Sequence, residues 1–170
     1  MRAIEPEPFD LDSLCLSRKY LPITCRRGSD ESIDFQVKST LSIHIESAGT
    51  GGYYDGKLPD SRMRSAAKKR GYLLDNRAQT IGLADFQRFD RIIAMDRDNV
   101  RAIEQVGIPI QGQLRLLSDY FKDSAIGDDW PTDVPDPYHG GDADFEYVLD
   151  MLEAACPKIL EEIQQESNTP

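Results

Sequence analysis

From about residue 42 onward, apolar and polar positions fall into short runs with legible periods. Ser42-Ile43-His44-Ile45-Glu46-Ser47 alternates with period two and predicts a strand, and Ala48-Gly49-Thr50-Gly51-Gly52 predicts a loop. Asp60 or Ser61 caps a helix that runs through Arg70, with Gly71 in the stop position. Arg91-Ile92-Ile93-Ala94-Met95 is a short apolar run between charges, the pattern of a buried parallel strand. Asp96 caps a helix through Val106 that ends at Gly107, and Gln113 to Leu117 forms a further strand. Asp119 to Gly141 is mostly loop. Asp142 or Asp144 opens a long helix with Phe145, Val148, Leu149, Leu152, Ala155 and Ile159 on one stripe. Pro157 stands inside that stripe and is expected to kink the helix or split off its last turns. Cys156, beside it, is expected in the core.

Strands that alternate with helices predict an α/β domain, a parallel sheet with helices on both faces. Residues 1–41 do not fit that rhythm. Pro6, Pro8 and Pro22 break the pattern, and Arg18-Lys19 and Arg26-Arg27 interrupt each apolar run. The expectation is one domain, with residues 1–41 disrupted or irregular and 42–166 forming the α/β body.

Composition narrows the function classes. The chain has 170 residues, 39% hydrophobic and 29% charged, a globular mix sufficient for one core. Its net charge of −10 argues against non-specific nucleic-acid binding, and no apolar run is long enough to span a bilayer. Between Asp119 and Asp150, ten acids stand against one base, Lys122, so most of the net charge sits there, as a solvated face. Three cysteines, Cys15, Cys25 and Cys156, and an acidic, Pro-broken N-terminus predict cytoplasmic thiols rather than a disulfide framework. His44 and His139 are too few for a zinc site, so no His-ligated metal is expected.

Several motifs in order carry a family resemblance: Ser47-Ala48-Gly49-Thr50, Leu58-Pro59-Asp60-Ser61-Arg62, Asp85-Phe86 with Phe89-Asp90, Ala94-Met95-Asp96 with Asn99, Leu114-Arg115-Leu116-Leu117, and Val134-Pro135-Asp136-Pro137-Tyr138 with Gly140-Gly141 and Asp144-Phe145. Their order and spacing resemble the low-molecular-weight protein-tyrosine phosphatases over about residues 42 to 163. The resemblance implies a three-layer fold with a four-stranded parallel sheet of order 2-1-3-4. It also implies a monomer without cofactor, acting on a tyrosine-phosphorylated protein or a small aryl phosphate. In the chemistry it implies, a thiolate at a helix N-terminus attacks phosphorus, and backbone N–H groups and one arginine grip the oxygens. An aspartic acid then protonates the leaving phenol.

By the same resemblance, Asp136 is the general acid, set between Pro135 and Pro137, which limit its backbone wander. The alternative is an exposed loop aspartate among nine other acids. Tyr138 and Tyr53 would wall the pocket and stack on a phenol ring, although His139 stands where the family often has a second aromatic. Tyr54 reads equally as a surface aromatic. Ser47 and Asp96 would support the phosphate loop from the C-terminal ends of two strands, with packing or helix capping as the alternative. Gly49-Thr50-Gly51-Gly52 reads as a turn rather than a nucleotide cradle.

The phosphate-gripping element itself is missing. It requires Cys-x5-Arg, but the residues six beyond Cys15, Cys25 and Cys156 are Leu21, Glu31 and Glu162. Codons that encode Leu16 to Cys25, read one nucleotide later, permit C-L-G-N-I-C-R-S-P, the family's loop; Leu14-Cys15-Leu16 permits F-V before it. The N-terminal segment is therefore expected to be an out-of-frame reading of the catalytic loop, with the frame restored near Thr40 to Ile43. Two other functions compete with a phosphatase: a non-catalytic pseudophosphatase that binds phosphoproteins, and, ranked below it, a thiol-dependent arsenate reductase.

Overall fold

The computed structural model describes residues 14–18, 44–121 and 129–167, the first of these as backbone. Four strands, β1 (Leu14–Arg18), β2 (His44–Ala48), β3 (Arg91–Ala94) and β4 (Leu114–Leu116), form one sheet of order β2-β1-β3-β4. Four helices accompany them: α1 (Ser61–Lys69), α2 (Asp85–Arg88), α3 (Arg97–Val106) and α4 (Asp142–Ser167). The α/β class and the strand order are those expected.

Strand β3 shows why helices cover both faces. Successive side chains of a strand point to opposite sides. Ile93, with Met95 just beyond the strand, joins a core built with α1 and α4 that includes Met63, Ala67, Phe121, Phe145, Val148 and Met151. Ile92 and Ala94 join a second core with Ala48, Ile81, Phe86, Phe89 and Ile103, beneath α2 and α3. All four residues of β3 are buried. Each fully buried large side chain contributes on the order of 1.5–3 kcal/mol.

Local signals set the helix ends. Asp60 caps α1, its carboxylate accepting from the Arg62 N–H at 2.7 Å, and Gly71 follows α1 at φ 89°, a conformation that costs glycine little. Asp96 caps α3 by accepting from the Asn99 N–H at 2.6 Å. Arg70, at the C-cap of α1, reaches Glu146 and Asp150 at 2.7 Å and Glu153 at 3.1 Å, which pins α1 to α4. Arg91, buried at the start of β3, bonds Glu162 and Glu166 near the far end of α4.

Three expectations need correction. The first concerns β1. The first 40 residues gave no strand, yet Leu14–Arg18 occupies the slot between β2 and β3. It runs antiparallel to both, in the register Cys15↔Ser47 and Cys15↔Ile93, whereas β3 and β4 are parallel as expected. Backbone ladders close in either direction. The rest of residues 1–41 lies outside the described residues.

The second concerns α4, which continues past Pro157 as one helix, so its last turns are not split off. Pro157 is exposed, so its ring meets solvent, while Ala155, Ile159 and Ile163 anchor the helix on either side. The third is Cys156, which is exposed rather than in the core. It follows buried Ala155, and one residue turns a helix by about 100°, off the apolar stripe.

Candidate functional site

In a sheet with helices on both faces, ligands bind beyond the carboxyl ends of the parallel strands. Here that edge is marked by Ala48, Ala94 and Leu116, the last residues of β2, β3 and β4. Two loops are built around it.

The loop Asp133–Tyr138 is tied to β3 and α3. The Val134 N–H donates to the Met95 carbonyl at 3.0 Å, directly after β3. Asp133 accepts from Arg97, the first residue of α3: from its backbone N–H at 3.0 Å, from Nε at 3.1 and 2.9 Å, and from Nη2 at 2.5 Å. These bonds hold the Asp133 carboxyl below its ordinary range, the side-chain bonds from Arg97 foremost. Val134 and Pro137 are buried and Asp136 between them is exposed, so two apolar feet hold the carboxylate outward. The Asp136 Oδ1 accepts from the Tyr138 N–H at 2.8 Å, a local turn that leaves Oδ2 available to a ligand oxygen.

The loop's other arm meets α1. The Arg62 Nη2 donates to the Tyr138 carbonyl at 3.0 Å, and the guanidinium lies 5.4 Å from the Tyr138 ring centroid and 4.8 Å from that of Phe145. Asp60 holds this guanidinium from the side, with Nε at 3.1 Å and Nη2 at 2.8 Å. Burial raises the Asp60 carboxyl, but the bonds from the Arg62 side chain and backbone outweigh it, so Asp60 titrates below its usual range. Tyr138 is half-buried and meets His139 edge-on at 4.8 Å.

Tyr53 lies in a 3-10 turn, Gly52–Tyr54, and is 79% exposed. It meets Tyr54 edge-on at 4.9 Å, and Lys57 Nζ lies 5.3 and 5.2 Å from the two ring centroids. Backbone pairing of Gly56 and Lys57 with Ala78, at 2.8 Å each, holds this loop against a neighbouring extended segment.

The sequence-expected residues fall into two groups. Asp96, Asp136 and Tyr138 belong to one bonded network that runs from β3 through the acid loop to α1. Asp96 takes part as the α3 cap, beside buried Asn99, whose Oδ1 accepts from the Met95 N–H at 3.3 Å. Ser47 sits in β2, where its carbonyl accepts from Gln79 Nε2 at 2.9 Å, and Tyr53 stands on its own loop; neither shares a bond with the acid loop in this network. Two partners were missed from sequence. Arg62 stood in a quoted motif but only as a helix residue. Arg97 and Asp133 are 36 positions apart, and nothing local announces their pairing.

A family model for low molecular weight phosphotyrosine protein phosphatase matches residues 24–169. The chain belongs to this family. It is 42% identical over 148 residues to a Synechocystis relative named for the same phosphatase family, covering 84% of this chain and 91% of that one. It is 31% identical to the human low molecular weight phosphotyrosine protein phosphatase, covering 81% of this chain and 87% of that one. Among solved structures, an Entamoeba histolytica protein tyrosine phosphatase with Hepes in its active site aligns at TM-score 0.63 and 35% identity, over 71% of this chain and 74% of that one. This phosphatase chain is therefore a hydrolase by family. Among the described residues, no helix is long and apolar enough to cross a membrane.

Strand β1 bears on the family's missing loop. Because Leu14 pairs with Ala48 and Arg18 with His44, β1 ends at the edge of the sheet away from Asp136. Cys15 lies within the strand, Cys156 lies on α4, and Cys25 lies outside the described residues.

Proposed function

We propose that this α/β framework serves phosphotyrosine monoester hydrolysis, and that the polypeptide as written has lost the step that starts it. The observation that supports the acid half is the pinned loop, which presents the Asp136 carboxylate beyond the C-terminal ends of the strands. The observation that supports the loss is a sequence without Cys-x5-Arg, joined to a β1 that runs the other way.

In the intended reaction, a thiolate attacks phosphorus and forms a phosphocysteine. The P–O bond to the phenol breaks, and the leaving oxygen takes its proton from Asp136. Asp136, now a carboxylate, accepts a proton from water as that water attacks phosphorus. Inorganic phosphate leaves and the thiolate is restored. Tyr138 and Tyr53 supply aromatic walls for the ring, while Ser47 and Asp96 steady the loop that grips the phosphate. The substrate is a tyrosine-phosphorylated protein or a small aryl phosphate. The three cysteines suit a reducing, cytoplasmic compartment.

An out-of-frame reading across Leu14 to Ser32 accounts for the loss. Sequencing the gene across codons 10 to 45 and assaying two chains with p-nitrophenyl phosphate tests it. The written chain is expected to turn over at background, and the chain reframed to carry C-L-G-N-I-C-R-S-P is expected to be active. Vigorous turnover by the written chain overturns the loss. A confirmed frame with no turnover favours the second reading, a non-catalytic phosphoprotein-binding module, which the exposed Asp136 and the aromatic residues would still serve.

A further inference from the structure

The four contacts between Arg97 and Asp133 have a geometry beyond that of an ordinary surface ion pair. Exposed pairs usually contribute little to global stability, and these side chains are 64% and 36% exposed. Yet one carboxylate here takes both a helix-terminal backbone N–H and a two-pronged guanidinium. It therefore caps the first turn of α3 from outside the helix, where a negative charge also suits the helix dipole.

Its place in the chain gives the contact a consequence. Asp133 precedes Asp136 by three residues, and Pro135 between them fixes one of the intervening backbone dihedrals. Val134 is buried and its N–H donates to the Met95 carbonyl, and Pro137 is buried; toward the other end, Arg62 donates to the Tyr138 carbonyl. The turn in which Asp136 accepts from the Tyr138 N–H is thus held at the α3 end by the Arg97–Asp133 clasp together with the Val134–Met95 bond, and at the α1 end by Arg62.

We propose that Arg97 is a positioning residue for Asp136: through Asp133 it sets the approach of the acid loop and so holds the Asp136–Tyr138 turn. The significance of this for catalysis rests on Asp136 being the general acid; the coupling itself does not.

The experiment is site-resolved amide exchange and carboxyl carbon NMR on the full chain, for R97A, D133N and the exchanged pair R97D/D133R. In R97A and D133N, the Tyr138 amide should exchange about tenfold faster while Ile92 and Val148 in the cores change by less than about twofold. The Asp136 carboxyl carbon should shift in both. R97D/D133R should recover part of the Tyr138 protection, since opposite charges again face each other. Unchanged Tyr138 exchange and an unmoved Asp136 carbon in both single variants overturn the proposal. So does acceleration shared equally by the core amides, because that reports global stability. Failure of the acid reading would show separately, as undiminished turnover of D136N in the reframed chain while the exchange pattern stands.

Discussion

Arg62 and Tyr138, 76 positions apart, meet twice: the guanidinium donates to the Tyr138 carbonyl at 3.0 Å and lies 5.4 Å from its ring centroid. The fork that grips Asp60 thus also fixes the C-terminal arm of the acid loop. R62A removes both contacts and leaves the Tyr138 carbonyl without this donor. Faster exchange in the acid loop is expected, and in the reframed chain a loss of turnover approaching about 10²-fold, since a displacement of about 1 Å costs that much. R62K restores charge but not the planar fork, so it should recover only part of the effect. Parent-like kinetics in R62A would show that this arm does not position the acid.

Asp136→Asn keeps the local turn, because the amide oxygen still accepts from the Tyr138 N–H. What it loses is the proton. In the reframed chain, turnover should fall by about 10²–10⁴-fold. The deficit should be larger for phenyl phosphate than for p-nitrophenyl phosphate, whose leaving group needs less protonation. Thermal midpoints of parent and variant should agree closely, as Asp136 is exposed. An equal deficit for both substrates would speak against general acid catalysis.

Asp60 makes stability depend on acid. Its folded carboxyl titrates below its usual value, so its contribution is fully present above the unfolded pKa of about 3.9 and is lost as pH falls through the folded value. Asp133, depressed by Arg97, acts in the same direction. D60N keeps the cap, since the amide oxygen still accepts from the Arg62 N–H, but loses the charged fork with the Arg62 guanidinium. It should therefore be less stable than the parent near pH 6, by up to about 1 kcal/mol, and the gap should shrink toward pH 3. Urea midpoints measured at both pH values check this; a gap that widens in acid would reverse the assignment.

The parts legible in the sequence were those written locally. Asp60 and Asp96 caps, Gly71 and Gly107 stops, and the apolar run of β3 each follow from neighbouring residues, and the structure places them where their chemistry requires. The place of Asp136 in an exposed loop was legible because Pro135 and Pro137 flank it. The clasp of Arg97 on Asp133 was not, because charges on an acidic surface look alike until the fold selects a pair. Strand β1 was missed for a related reason: Leu14-Cys15-Leu16 is a short apolar run without flanking signals, and only the gap between β2 and β3 gives it a role. The short α2, four residues long, gave too little periodicity to read.

Pro157 shows the same competition inside one helix. A proline removes one i→i−4 bond and crowds the carbonyl of Glu153, at a cost of about 3 kcal/mol in a helix interior. Helix α4 nevertheless continues, because Phe145, Val148, Met151 and Ala155 before it and Ile159 and Ile163 after it are all buried against the same core. Packing on both sides outweighs the local penalty. Pro157→Ala relieves that penalty without touching the core, since the side chain is exposed. The variant should be more stable by on the order of 1–3 kcal/mol, partly offset by the freer unfolded chain. A raised thermal midpoint with unchanged near-UV dichroism would bear this out. A lowered midpoint would mean that the proline sets a bend which the contacts of Ile159 and Ile163 require.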